Sequence, residues 1–246
     1  MQRLARRLQH GPARLGRVVG LVMLATGSLA CAPYSALPLT VAPSARPVNA
    51  AGASFTGVYA WQDQDGQSSS NAGGPLGSGW VRFGQGQSQV ELGVGPAGGH
   101  AAVRVDLQPP ESGFTVALQP GAGVGYYRQA TSQTGYSTSS SLLVFNPYLN
   151  LIFLFANRSV YLAPRLGWFI AASSSSSGSS GSSSSVTGWG LGGAAGVIIA
   201  RSPFEWSIEG TYTHSRSWSD SGSSSSSSTQ SIDLLTFGVA AQLIGP

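Results

Sequence analysis

Residues 203–219 read P-F-E-W-S-I-E-G-T-Y-T-H-S-R-S-W-S. Phe204, Trp206, Ile208, Gly210 and Tyr212 share one parity; Glu205, Ser207, Glu209, Thr211 and Thr213 share the other. A period of two with one apolar side predicts a β-strand. In a soluble sheet the apolar side would cover a core. In a membrane barrel it would face lipid, and the acids would face a polar lumen. The same period recurs upstream. Phe55, Gly57, Tyr59 and Trp61 alternate with Thr56, Val58, Ala60 and Gln62, and Val81 and Phe83 flank Arg82 in a short second strand. Val90, Leu92 and Val94 alternate with Glu91 and Gly93; Val103, Val105 and Leu107 alternate with Arg104, Asp106 and Gln108. A fifth strand starts with Phe114, Val116 and Leu118 and continues through a Gly-rich bend at 120–125 to Tyr127. Five longer β-rich segments follow, at 141–155, 159–172, 186–200, 203–219 and 231–243. In the last, Ile232 and Leu234 sit on one parity, and Leu235, Phe237, Val239 and Leu243 on the other. That break predicts a bulge near Leu234.

The linkers sort into two kinds. Two in the second half are tight, at 156–158 and 201–202; three are long and Ser-rich, at 129–140, 173–185 and 220–230. Residues 64–79 form a further polar Gly/Ser/Asn loop near the start, and turns fall at 84–88, 96–99 and 109–113. Short turns on one side and long loops on the other are what membrane barrels show. The count is ten strands, with eight as the alternative if 79–107 forms fewer, longer ones. The predicted fold is therefore an all-β, closed antiparallel up-and-down transmembrane β-barrel. Closure is required because lipid-exposed edges would leave backbone N–H and C=O groups unpaired.

Composition supports the inverted arrangement. Only 9% of the 246 residues are charged, against about 25% in an average soluble domain. Lys is absent, and five of the 13 basic residues, all Arg, fall within the first 17 positions. The rest of the chain carries eight arginines against nine acids. The basic balance thus belongs to the leader, and the remaining arginines are too scattered to propose nucleic acid as a partner. Residues 1–17 form a basic region, and 18–30 an apolar run ending in small residues. Together they have the form of an export signal, placed at 1–30 and excluded from the fold. Cys31 follows directly and is the only cysteine, so no internal disulfide can form. Residues 31–52, rich in Ala and Pro, read as a flexible tether, and 53–246 as the barrel.

Ser28-Leu29-Ala30-Cys31 resembles a lipobox, in which the cysteine of a bacterial lipoprotein is lipidated; ordinary signal-peptidase cleavage nearby is the alternative. Ser28 stands where that motif prefers Leu, while Ala30 fits. Ala32, rather than Asp, follows the cysteine; by resemblance, such a lipoprotein sorts to the outer membrane. With its signal, its lipobox-like cysteine and its β-meander, the chain resembles small bacterial outer-membrane barrels of the outer-membrane protein A/X type, over about residues 53–246. The C-terminal Ile244-Gly245-Pro246 departs from that pattern by lacking a terminal aromatic residue. The resemblance implies outer-membrane lipid as the partner and a monomeric barrel.

If the apolar side faces outward, Arg82, Glu91, Arg104, Asp106, Arg165, Glu205 and Glu209 face inward together. Small barrels have interiors that side chains can fill, so these charges predict a salt-bridged plug. The alternative is a charged constriction in a small pore. Catalysis is not expected. His214 lies beside Ser215 with Glu209 nearby, a set similar to that of lipid A deacylases, but adjacent strand residues face opposite ways. His100 is placed alone in a turn. One cysteine and three histidines make no metal site, and Gly121-Ala122-Gly123 has no following helix to make a phosphate loop. No cofactor is expected. The Ser-rich loops read as uncharged, water-compatible segments, with a surface ligand as the alternative. A soluble periplasmic barrel resembling lipocalins, with its apolar faces inward, is the remaining contrast.

Overall fold

A computed structural model describes residues 41, 43–64, 67–95, 98–109, 113–133, 136–177, 180–220 and 228–245. The leader, Cys31 and the first part of the segment read as a tether lie outside the described residues. Ten strands form among the described residues: β1 Ala50–Gln64, β2 Gln67–Gln85, β3 Ser88–Gly95, β4 Gly98–Asp106, β5 Thr115–Gln133, β6 Tyr136–Phe155, β7 Val160–Ser177, β8 Ser180–Arg201, β9 Phe204–Asp220 and β10 Ser228–Ile244. Each pairs antiparallel with its sequence neighbour, and β1 pairs with β10 to close the barrel. Ten strands, not eight, is the count, and the all-β up-and-down architecture is as expected.

The faces are inverted relative to a soluble protein. On β9, Phe204, Trp206, Ile208 and Tyr212 point outward and are exposed, while Ser207, Glu209, Thr211 and Thr213 point inward and are buried. Trp206 is 48% exposed and Glu209 2%. The same division holds around the wall. Val90, Leu92, Val103, Val105, Leu162, Leu166, Val197, Ile199, Phe237 and Val239 lie on the outside, and Arg82, Arg104, Asp106, Asn150 and Gln242 on the inside. A strand tilted about 40° rises about 2.5 Å per residue along the barrel axis. The outward apolar run from Phe204 to Tyr212 therefore gives a band on the order of 20 Å, ending where His214 begins the polar rim.

Several expected boundaries move. Residues 67–79, read as a loop, belong to β2, and the described parts of the Ser-rich linkers at 129–140 and 173–185 are arms of long hairpins; most of the linker at 220–230 lies outside the described residues. β5 and β6 pair out to Gln133↔Tyr136, and β7 and β8 out to Ser177↔Ser180. Backbone ladders need no apolar side chain once both strands stand in water, so the alternating signal stops before the strand does. Serine hydroxyls bridge the arms, with Ser173 Oγ 2.7 Å from Ser184 Oγ and Ser141 Oγ 2.8 Å from Ser174 Oγ. The bend expected at 120–125 is absent: β5 runs through it with Gly121↔Tyr148 and Val124↔Phe145 in one register. Pro120 lacks an N–H, and the β4–β5 ladder skips from Ala102↔Gly121 to Val105↔Leu118 at that point without slipping register. The bulge expected near Leu234 is also absent. β10 keeps one register with β9 and β1, and the irregularity lies instead between Thr56 and Val58 on β1. Leu234 packs inward against Val58 and Leu76, so this stretch of lumen is apolar and needs no register change.

The two ends of the barrel differ. At one end the strands join through Gly86–Gln87, the 107–114 connection, the 156–159 turn and Ser202–Pro203, and both termini of the sheet lie there. The tall hairpins rise from the other.

Candidate functional site

The structure buries Arg82, Glu91, Arg104, Asp106, Arg165 and Glu209 and leaves Glu205, on the same inward parity of β9 as Glu209, half-buried; Arg82 with Glu91 and Arg104 with Asp106 form ion pairs. β2 and β3 place Arg82 opposite Glu91, with Arg82 Nε donating to Glu91 Oε2 at 2.6 Å. β4 brings His100 Nε2 to 2.9 Å from Glu91 Oε1. His100 is thus a strand residue inside the barrel, not a lone turn residue: Gly98 already begins β4, and the even parity of this strand faces the lumen. Arg82 Nη1 reaches past β1 to donate to Gln242 Oε1 at 2.6 Å, and Gln242 Nε2 donates to Glu205 Oε2 at 2.6 Å. One chain of contacts therefore runs from His100 through Glu91, Arg82 and Gln242 to Glu205.

A second group sits near the short-turn mouth. Arg104 donates from Nε and Nη2 to the two Asp106 oxygens at 2.7 and 3.2 Å. Arg158 Nη1 lies 3.5 Å from Asp106 Oδ2. Arg158 comes from the 156–159 turn, where Ala156, Asn157 and Arg158 take φ of 47°, 57° and 69°. Three consecutive non-glycine residues in the left-handed region cost about 1–2 kcal/mol each. The turn thereby aims Arg158 back into the mouth. Higher up, Arg165 Nε donates to Asn150 Oδ1 at 2.7 Å, and Asn150 Nδ2 to Gln119 Oε1 at 2.8 Å. The guanidinium of Arg165 lies 5.6 Å from the centre of the Tyr148 ring. Glu209 accepts from Tyr161 Oη at 2.5 Å. Tyr161 lies over Gly196, where a Cβ would overlap its ring; the missing side chain makes room for the phenol inside the wall.

The mouth also holds part of the chain itself. Val41 and residues 43–49, within the segment read as a flexible tether, lie in the barrel mouth, where Val41, Pro43, Ser44 and Pro47 are buried and Arg46 and Asn49 are exposed, and 50–52 already belong to β1. Val41 joins an apolar cluster with Ala117, Ile152, Leu154, Tyr161, Ala163, Ala194 and Ile198. Its N–H donates to both Glu209 oxygens at 2.8 and 3.1 Å. Arg104 Nη1 donates to the Ser44 carbonyl at 2.6 Å and Arg158 Nη1 to the Ala45 carbonyl at 3.2 Å, while the Ala45 N–H donates to Glu205 Oε2 at 3.3 Å. Gln89 Nε2 donates to the Val48 carbonyl at 2.9 Å. The strap was missed in sequence because its Ala/Pro-rich run has no period, and its anchors are main-chain atoms. Gln89 and Gln242 share the inward parity of Glu91 and Ala240, but an uncharged amide raised no signal.

The residues compared with a deacylase are not gathered. Ser215 and Glu209 take the inward parity, while His214 faces outward, its Nδ1 2.8 Å from Asp233 Oδ1 on β10; Tyr212 Oη donates to the same oxygen at 2.6 Å. Among the described residues, no three His, Cys, Asp or Glu are grouped to hold a metal ion.

No protein-family model matches the sequence, and no curated protein does. Among solved structures, the attachment invasion locus protein Ail of Yersinia pestis aligns at TM-score 0.37 and 12% identity, over 80% of this chain and 99% of that one. Neisserial surface protein A aligns at TM-score 0.30 and 17% identity, over 80% and 99%. The outer membrane protease OmpT of Escherichia coli aligns at TM-score 0.53 and 9% identity, over 86% of this chain and 100% of that one. The likeness to OmpT is one of fold: a closed antiparallel barrel.

Proposed function

We propose that the protein is an outer-membrane β-barrel with a sealed, salt-bridged lumen and a structural or surface role rather than an enzymatic one. The observation that carries this reading is the inverted wall. Large apolar side chains ring the outside, and Arg82, Glu91, Arg104, Asp106, Arg165 and Glu209 are buried within. A soluble lipocalin-like barrel would place these sets the other way round. The short-turn end then faces the periplasm and the serine-bridged hairpins stand outside, following the rule for such barrels. An acylated Cys31 fits this orientation. Ten residue steps separate it from Val41, a reach of up to about 33–36 Å, enough to return to the near leaflet. The tall Ser-rich hairpins are the surface available to an external ligand.

Separating inner- and outer-membrane fractions tests the location; recovery in the soluble periplasmic fraction would remove it. Planar-bilayer recording of the full chain tests the seal. The expected trace is flat, and stable unit conductance steps would favour the second reading, a small pore through the charged constriction. Acyl labelling should mark the protein and be lost in Cys31→Ala. Lipid A from cells that overproduce the protein should be unchanged; shortened lipid A would make it a deacylase.

A further inference from the structure

We propose that the short-turn mouth of the lumen is a binding site for a peptide backbone, with Val41 and residues 43–49 as its resident and exchangeable occupant. The wall meets this strap mainly through main-chain atoms. Glu209 and Glu205 on β9 accept from the N–H groups of Val41 and Ala45. On the other side, Arg104 on β4, Arg158 in the 156–159 turn and Gln89 on β3 donate to the carbonyls of Ser44, Ala45 and Val48. Acceptors from one wall and donors from another thus clasp both kinds of backbone group along one segment that bends at 45–47. Ala45 is held from both directions, by Glu205 through its N–H and by Arg158 through its carbonyl.

The clasp is built for close backbone approach. Gly84 faces the strap, and a Cβ there would overlap the backbone of Pro47 and Val48. The Gly84 N–H donates to Asn49 Oδ1 at 3.1 Å. The strap side chains met by the wall are few: Val41 and Ala45 at the apolar cluster, Ser44, whose Oγ meets Gln89, and Asn49 at Gly84. Charged groups reading amides recognise the form of a peptide more than its sequence. The strap adds no strand to the sheet, so it can leave without opening the wall. The groups it uncovers, Glu205, Arg104 and Arg158, stand at the mouth, where water can replace it. The site would therefore accept a second peptide of the same form, presented from the short-turn side. This rests on the lumen geometry, and a conducting full-length barrel would leave it intact.

The test uses the full chain in detergent micelles, with Cys31→Ser and Ser44→Cys. Ser44 is fully buried, so a thiol at that position should react slowly with a maleimide while the strap is seated. A synthetic peptide of residues 41–46, acetylated at its N-terminus and amidated at its C-terminus, is then added at several millimolar, comparable to the effective concentration of a short tethered segment. The expected result is a labelling rate raised at least twofold, and at least tenfold when Gly84→Val has loosened the strap. The same peptide N-methylated at its Val41 and Ala45 amides should leave the rate unchanged. Labelling without peptide as fast as in the urea-unfolded chain, a rate indifferent to peptide, or equal acceleration by the methylated peptide would each overturn the proposal. The native-seat competition needs no Gly84 variant, so it stands even if that substitution prevents folding.

Discussion

At the scale of single residues, the lumen depends on partners more than on charge itself. Glu91 answers two partners at once, the Arg82 guanidinium at 2.6 Å and the His100 imidazole at 2.9 Å. Removing one member of a buried ion pair typically costs about 3–5 kcal/mol, because the other is left uncompensated. Glu91→Ala should lower the unfolding free energy by that amount, read from urea unfolding in lipid vesicles. A neutral outcome would mean that water reaches Arg82. On the outside the rule reverses. Ile208 lies four residues along β9 from Phe204, about 10 Å up the wall and near the middle of the apolar band. Ile208→Arg should cost about 2–4 kcal/mol in a bilayer, whereas an exposed site on a soluble barrel would tolerate it. Ala156 sits at φ 47° in the turn that aims Arg158. Ala156→Gly should stabilise the protein by about 1 kcal/mol by relieving that conformation, visible as a higher urea midpoint.

At the scale of elements, the period-of-two pattern marks the part of each strand that crosses the apolar band and little beyond it. β9 was legible from Phe204 to Thr213 because lipid and lumen impose opposite demands on neighbouring residues. Residues 67–70 and 173–177 were not, because both faces of a hairpin arm in water accept serine and glycine alike; at 72–79, Leu76 is the one large apolar residue among small ones, so no alternation shows. The strap was illegible for another reason: Ser44 and Ala45 are held by their carbonyls and N–H groups, which every residue type carries. The serine arms should be dispensable for folding. The pairs from Ser175↔Ser182 to Ser177↔Ser180 form the outer rungs of the β7–β8 hairpin. Replacing residues 175–182 with a two-residue turn should change the unfolding free energy by less than about 0.5 kcal/mol. A large loss would assign those rungs a part in holding the barrel.

At the scale of the whole molecule, the seven lumen charges were readable as a set because parity alone assigns a side once the barrel is taken as inverted. Which of them pair was not readable, since β2–β3 register and the reach of Arg82 past β1 to Gln242 depend on closure. The filled mouth follows from closure too: a ten-stranded ring leaves room that Val41 and its neighbours occupy. All of this depends on the direction of the side chains in the wall. Single cysteines placed from 204 to 212 on β9 in a Cys31→Ser background, labelled with an environment-sensitive dye and refolded into vesicles of brominated lipid, report that direction most directly. Quenching should alternate, strong at 204, 206, 208 and 212 and weak at 205, 207, 209 and 211. Uniformly weak quenching, or the opposite alternation, would contradict a lipid-facing apolar wall.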